Sequence, residues 1–323
     1  MSTQIKKIGV LTSGGDAPGM NAAVRAVVRT ALNKGLEVVA IKQGYKGLIN
    51  GDIIDMNYTS VSRIINKGGT FLYSARCLEF KEKEGVMKAV ETCKKHNIDG
   101  IVAIGGDGTF RGAADLSKNG VPCVGIPATI DNDIGISEYT IGFDTAVNTA
   151  IEMVDKLRDT MESHDRCSVV EVMGRNAGYV ALYTGISTGA NAVIVPEVEW
   201  KYEDILKNIH EAQAVGKKHF IIVVAEGVGN SHELAAKIEK DTGIVTRATI
   251  TGHVLRGGAP TADDRVKATL LGNYAVHLLC QGYSNIVCGL NKGELCNFDV
   301  QDALTMKKPF PMHLYNLFNE TSK

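Results

Sequence analysis

Three segments hold residue types whose spacing could do chemistry. Thr12-Ser13-Gly14-Gly15-Asp16-Ala17-Pro18-Gly19-Met20-Asn21 stands between an apolar run and a helical pattern. Glycines there let the main chain crowd an anion. The first turn of the following helix adds unpaired N–H groups and a partial positive charge, which suits phosphate. A tight strand-to-helix turn that binds nothing has the same composition. Gly105-Gly106-Asp107-Gly108-Thr109 repeats the arrangement, and Asp107 among its glycines could hold a Mg2+ that bridges phosphates. Two such turns favour a nucleotide site. In Pro127-Ala128-Thr129-Ile130-Asp131-Asn132-Asp133, two carboxylates stand two residues apart. If the stretch is extended they point to one side, so that one could take a proton from a hydroxyl while the other helps place a metal. The alternative is a pair of solvated turn acids.

Familiar phosphate and nucleophile patterns do not fit. The Gly216-Lys217 pair has Glu211 where a Walker loop needs glycine, and Gly106 to Gly112 is one residue too long for G-x-G-x-x-G. Gly185-Ile186-Ser187-Thr188-Gly189 matches the G-x-S-x-G elbow of serine hydrolases, but that elbow follows a buried strand, whereas Ala177 to Tyr183 reads as helix. Basic residues fall at turns or strand ends: Arg76, Arg166, Arg175, Arg247, His253 and Arg256. Arginine is shaped to grip phosphate bidentately, although any one of these could be a surface ion pair.

The elements that must carry these segments are β-α units. Apolar runs IGVL, EVVAI, GIVAI, PCVGI, CSVVEV, NAVIV, HFIIVVA and SNIVCG alternate with helical patterns, which predicts an α/β fold with mostly parallel sheets. Val24, Val27, Val28, Ala31 and Leu32 recur at helical spacing before Gly35, a C-terminal cap. Further helices are predicted at 82–96, 107–118, 144–162, 201–214, 231–240 and 262–281. In such sheets, ligands sit beyond the carboxyl ends of strands, where TSGGD, GGDGT, PATIDND, MGR and AEG stand.

Length and composition bound the rest. A chain of 323 residues suggests about two domains. A net charge of −1, without a block of like charge, argues against a nucleic-acid or membrane partner. Hydrophobic residues at 44% and charged residues at 22% describe ordinary globular protein. The 35 glycines are about 11% of the chain against a usual level of about 7%, in keeping with backbone-to-ligand approaches. Seven cysteines lack zinc spacing, which fits reduced thiols in a cytoplasmic protein, and the first residues hold no signal-peptide core or membrane span.

Taken together, LTSGGDAPGMNAA, GGTFLYSAR, IGGDGTF, TIDNDI, VEVMGR, TRATITGH and RGG, in that order, resemble the ATP-dependent 6-phosphofructokinases of bacteria. The resemblance implies two similar three-layer α/β/α domains with the active site in the cleft between them. Residues 1–141 plus 256–307 would bind ATP, and 142–255 plus 308–323 would bind fructose 6-phosphate. It further implies Mg·ATP around Gly15, Arg76, Cys77, Gly106, Asp107, Gly108 and Thr109, with Asp107 on the metal. Asp131 would be the base that accepts the sugar 1-hydroxyl proton, with Thr129 and Ile130 beside it and Asp133 supporting; Arg76 would steady the transferring phosphoryl group. Met173, Gly174, Arg175, Glu226, His253 and Arg256 match the sugar-phosphate pocket. Arg166 and Arg247 match positions that reach in from a neighbouring subunit of a symmetric homotetramer.

Pyrophosphate-dependent relatives usually carry Asp at the position of Gly108 and Lys at that of Ala128, so this sequence favours ATP. The resemblance also implies an ADP/phosphoenolpyruvate effector site at Arg25, Arg29, Arg158, Gly189, Lys217, Lys218 and His219. Arg25 and Arg29 are like charges at i, i+4, mildly destabilising unless an anion lies between them. Tyr58 replaces a usual base, Arg63 a usual acid, Val215 a lysine and Asn191 a glutamate, departures that imply weakened control. The other readings are a pyrophosphate-dependent enzyme, a silent sugar-phosphate sensor that kept the fold, and, from the GGDGT pattern alone, a lipid or NAD kinase.

Overall fold

The computed structural model describes residues 5–322. Its strands are β1 (Lys7–Thr12), β2 (Glu37–Ile41), β3 (Ile53–Asp55), β4 (Gly100–Gly105), β5 (Cys123–Pro127), β6 (Cys167–Val172), β7 (Ala192–Ile194), β8 (Phe220–Ala225), β9 (Thr246–Ile250), β10 (Ile286–Asn291) and β11 (Glu294–Asp299). The helices are α1 (Met20–Asn33), α2 (Gly44–Asn50), α3 (Lys83–Lys95), α4 (Asp107–Lys118), α5 (Phe143–His164), α6 (Tyr179–Thr188), α7 (Tyr202–Ala214), α8 (Ser231–Thr242), α9 (Ala262–Cys280), α10 (Val300–Thr305) and α11 (Met312–Thr321). The architecture is α/β, as the alternating pattern predicts.

The chain divides into two compact units. The first comprises Met1–Thr129, Ile134–Thr145 and Arg256–Lys308; the second comprises Ile130–Asp133, Ala146–Leu255 and Pro309–Lys323. The first unit is built on a seven-stranded sheet in the order β11-β10-β5-β4-β1-β2-β3, parallel except for its two outer pairs. Every residue of β4 is buried, as expected of a parallel strand covered on both faces. One side is closed by α2 through Tyr45 and Leu48, by the 3-10 turn Glu79–Lys81 through Phe80, and by α3 through Val86 and Val90, which pack with Leu11, Ile41 and Ile101. The second unit is built on a four-stranded parallel sheet in the order β7-β8-β6-β9, with Phe220, Ile222, Val169, Ile205 and Ile238 in its core.

All eight apolar runs become strands, and the predicted helices lie within a few residues of their expected positions. Three further strands were not legible. The polar TRATI segment is β9, an edge strand in which only Thr246 is buried, so it carries no apolar run. Likewise β11 is the outer strand of a hairpin, turned through Lys292 (φ 52°) and Gly293 (φ 79°), the pair of left-handed residues a two-residue turn requires. Ser187 sits inside α6, and Gly189 closes that helix at φ 57°, so no strand-to-helix elbow presents its hydroxyl. All seven cysteines are free thiols. Among the described residues, no helix is long and apolar enough to cross a membrane.

The helix that follows the first glycine turn, α1, is held by α9. Gly272 lets the two backbones approach: a Cβ there would lie 2.7 Å from the Ala26 Cβ and 2.8 Å from the Ala23 carbonyl oxygen. Gly272→Val is therefore expected to cost about 1–3 kcal/mol by overpacking, read as a lower urea midpoint with an unchanged slope.

Candidate functional site

In the first unit, β1, β4 and β5 run parallel and in register, so their carboxyl ends lie side by side. The turns that follow are stitched to one another. The Ser13 amide donates to the Ile104 carbonyl at 3.0 Å, and the Thr109 hydroxyl donates to the Ser13 carbonyl at 3.0 Å. Gly105 has to be glycine, because a Cβ would strike the Ser13 carbonyl and the Thr109 hydroxyl. The Tyr45 hydroxyl donates to the Thr109 carbonyl at 2.5 Å and anchors α4 from below. The Ala128 amide donates to the Gly105 carbonyl at 2.9 Å, which lays Ala128-Thr129 along the second turn.

The segment carrying Arg76 and Cys77 is pinned to the first turn. Asn21 donates to the carbonyls of Lys67 (3.0 Å) and Gly68 (3.2 Å) and accepts from the Phe71 amide (2.8 Å). The Thr12 hydroxyl pairs with that of Thr70 at 2.7 Å and donates to the Tyr73 carbonyl at 3.1 Å; the Ser74 hydroxyl donates to the Gly14 carbonyl at 2.8 Å. Arg76 is exposed at the end of this strap, and half-buried Cys77 packs against the core. The sequence includes Asn21, Thr12 and Ser74 in its motifs but assigns them no strapping role, because their partners are 46 to 61 residues away.

Gly106 precedes α4 and Asp107 opens it, so the half-buried carboxylate stands at a helix N-terminus beside backbone N–H groups. Among the described residues, no group of three or more His, Cys, Asp and Glu could form a metal cage. One carboxylate beside a glycine turn with outward N–H groups suits Mg2+, which keeps waters and binds through one or two carboxylates plus substrate phosphates. Open space surrounds the Cβ position of Gly108, so a side chain there would project outward unopposed. The Arg256 guanidinium lies against the other turn, 3.2–3.4 Å from where a Gly15 Cβ would be.

The T-I-D-N-D segment departs from expectation. It is a turn, with Asn132 left-handed at φ 52° and buried between half-buried Asp131 and Asp133. The alternation argument for two carboxylates on one side needs extended backbone, so it does not apply.

In the second unit, β6 and β8 are paired with Val172 opposite Ala225, which sets Met173-Gly174-Arg175 beside Glu226. The Glu226 carboxylate accepts from the amides of Gly174 (3.1 Å) and Arg175 (2.5 Å). It therefore shapes the M-G-R turn, in which Gly174 (φ 148°) and Arg175 (φ 58°) both have positive φ. Met173 is buried and Arg175 exposed. The Thr251 amide donates to the Glu171 carbonyl at 3.0 Å and brings the end of β9, just before exposed His253, to the same edge.

Arg166 and Arg247 are not brought to that edge. Arg166 precedes the first residue of six-residue β6, and Met173 follows its last, a separation of about 23 Å at 3.3 Å per residue. Arg247 is the second residue of β9 and pairs with Glu239 at 2.6 Å.

The effector residues fall in both units. Arg25 and Arg29 lie on α1, and burial followed by the Arg29 charge lowers the pKa of Arg25. In the second unit, Arg158 donates to the Thr188 carbonyl beside Gly189. Burial, then the Arg158 charge, lowers the pKa of Lys217. Lys218 pairs with Asp165 at 3.5 Å and His219 lies 3.4 Å from Glu162. Asn191 spends its side-chain oxygen on the Ile221 amide at 2.9 Å, Val215 is 86% exposed, and Tyr58 is also exposed.

Comparison with known proteins shows the family and the fold. The family model described as phosphofructokinase matches residues 7–279. A Clostridium perfringens (strain 13 / Type A) protein named ATP-dependent 6-phosphofructokinase 1 is 54% identical over 319 residues, covering 99% of this chain and 100% of its own length. An ATP-dependent 6-phosphofructokinase of Clostridium botulinum (strain Loch Maree / Type A3) is 52% identical over the same shares. Among solved structures, phosphofructokinase from Saccharomyces cerevisiae superposes with a TM-score of 0.92 at 31% identity; 98% of this chain is covered, which spans half of the yeast chain. A pyrophosphate-dependent phosphofructokinase from Marinobacter aquaeolei shares the fold, with a TM-score of 0.85 at 21% identity over 96% of this chain and 86% of its own. With a family match over most of its length and full-length relatives above half identity, the chain belongs to the phosphofructokinase family.

Proposed function

We propose that the chain transfers the γ-phosphoryl group of ATP to the 1-hydroxyl of D-fructose 6-phosphate, giving fructose 1,6-bisphosphate and ADP in glycolysis. The observation that carries this reading is its identity of 52–54%, over 99% of its length, to proteins named ATP-dependent 6-phosphofructokinase. The intact turns agree with it. The reaction belongs in the cytoplasm, where glycolytic substrates are.

The chemistry is positioning and charge neutralisation. N–H groups around Gly15, Gly106, Gly108 and Thr109 hold the nucleotide phosphates. Arg76, on its strap, faces the transferring group, with Cys77 beside the nucleotide. Asp107 holds Mg2+, which neutralises phosphate charge when bound. Asp131 accepts the 1-hydroxyl proton, with Thr129 and Ile130 fixing its approach and Asp133 supporting it. Glu226 holds the M-G-R turn through one carboxylate oxygen, Oε1, and accepts sugar hydroxyls, while His253 and Arg256 take the 6-phosphate; Arg256 must then leave its resting place against Gly15. Arg166 and Arg247, at the opposite end of their sheet, serve the sugar-phosphate pocket of a neighbouring subunit in a homotetramer.

ATP is favoured as donor over pyrophosphate. A side chain at Gly108 would project into open space, where an aspartate would crowd and repel nucleotide phosphate, and its absence here leaves the phosphate path clear. Control by ADP and phosphoenolpyruvate is weakened, because Tyr58, Val215 and Asn191 offer no charge to a phosphate or its cation, and Asn191 is committed to β8.

With Mg2+, ATP is expected to support turnover and pyrophosphate none. Asp131→Ser should lower kcat by about 10²–10⁴-fold, the usual worth of a general base, in a coupled assay of fructose 1,6-bisphosphate. Equal turnover with pyrophosphate would reject the donor assignment. Saturation by fructose 6-phosphate should be close to hyperbolic and little altered by ADP; a sigmoidal curve relieved by ADP would reject weakened control. Dilution to monomer, followed by sedimentation, should abolish activity.

A further inference from the structure

Asp264, in the first turn of α9, is wholly buried and has every donor it can use. Its Oδ1 accepts from the Tyr139 hydroxyl (2.6 Å) and the Gly142 amide (2.5 Å). Its Oδ2 accepts from the Thr145 amide (2.9 Å) and the Thr145 hydroxyl (2.5 Å). Burial raises the pKa of this carboxyl, and the four hydrogen bonds oppose that rise. All four donors come from one short segment, 139–145.

The spacing Thr261-x-x-Asp264 is that of a capping box, in which the N-cap hydroxyl accepts from the third residue's amide and the third side chain reaches back to the N-cap amide. Thr261 does accept from the Asp264 amide, at 3.3 Å. The return bond, however, passes through another segment: the Thr261 amide donates to the Thr145 hydroxyl at 3.0 Å, and that hydroxyl donates on to Asp264. A local helix cap has been extended to grip segment 139–145.

That segment touches the first glycine turn and the stretch that leads into Asp131. The Thr140 hydroxyl donates to the Thr129 carbonyl at 2.6 Å, and the Ile141 amide to the Pro127 carbonyl at 3.0 Å, so 140–141 lies along the stretch leading into Asp131. On its other side, a Cβ on Gly142 would come 2.6 Å from the Ala17 Cβ, and one on Gly19 would come 2.6 Å from the Ile141 side chain and 3.5 Å from the Asp264 Cβ. The first glycine turn is therefore packed against the same segment without slack.

We propose that Asp264 is a positioning residue for phosphoryl transfer: by clamping segment 139–145 it sets the first phosphate turn and the approach to Asp131 together. The proposal rests on the reading of Asp131 as the base. Its physical content is that a displacement of about 1 Å at a reacting group costs on the order of 10²-fold in rate, so a clamp shared by both turns acts on kcat.

Asp264→Asn keeps the size of the side chain but turns one acceptor into a donor. In either amide orientation the NH2 faces a backbone N–H, of Gly142 or of Thr145, that cannot rotate away. The experiment compares Asp264→Asn, Thr145→Val and Thr145→Ser with wild type in the full-length enzyme. Its readouts are kcat and KM for both substrates, cooperative unfolding, and amide hydrogen exchange of peptides covering 13–19 and 128–133. The expected result for Asp264→Asn is a kcat lower by about ten- to a hundredfold, a nearly unchanged KM for fructose 6-phosphate, and faster exchange in both peptides. Thr145→Val should follow in the same direction, and Thr145→Ser should restore kcat. A role in stability alone would lower the melting temperature but leave kcat of the folded enzyme and the exchange of these two peptides as in wild type, and that result overturns the proposal. Should Asp264→Asn fail to fold, the Thr145 pair decides by the same criteria. If Asp131→Ser kept full activity, the base assignment would fall, while exchange in the Asp264 and Thr145 variants would still decide the clamp.

Discussion

Parallel pairing of β1, β4 and β5 in register is the constraint on which the site depends. It makes three chain segments leave the sheet at one edge, where the ladder gives out after one more rung. Backbone groups beyond it must find partners or face a ligand. The observed solution is mutual: Ser13 bonds to Ile104 and Thr109, and Ala128 bonds to Gly105. These bonds need the backbones so close that residue 105 can have no side chain. The N–H groups at the start of α4 are then left facing outward beside Asp107, an arrangement suited to phosphate.

The second unit applies the same constraint with different chemistry. Its parallel strands β8, β6 and β9 bring Glu226, the M-G-R turn and the approach to His253 to one edge, and a carboxylate joins close glycine packing in fixing the turn. An acid that holds two amides of an adjacent turn preorganises the backbone beside it. The basic residues at the opposite end, Arg166 and Arg247, are outside the reach of this edge by strand length alone.

Most of the β-α order was legible because parallel strands covered on both faces must be apolar throughout, and runs such as GIVAI and FIIVVA announce themselves. The edge strands β9 and β11 were not, since TRATI and ELCNFD are mostly half-buried or exposed and carry no apolar run. The glycine turns and Asp107 were legible from residue type at the end of a run. The geometry at Asp131 was misread, because the extended backbone assumed there is broken by left-handed Asn132. Position in a turn of this kind is set by what the turn packs on, and nothing within the heptapeptide states it.

By itself, the sequence determined which residues could carry phosphate chemistry and the order of elements presenting them, because both follow from local residue type and hydrophobic period. It also determined the family, through seven motifs in a fixed order. Only the tertiary structure decided that Asn21 straps the Arg76 segment to the first turn, that Arg256 rests against Gly15, and that Asp264 completes its helix cap through Thr145, 119 residues away. Each of these joins groups far apart in the chain, and a hydrogen bond is specified by distance and angle in space, which residue spacing along the chain does not encode.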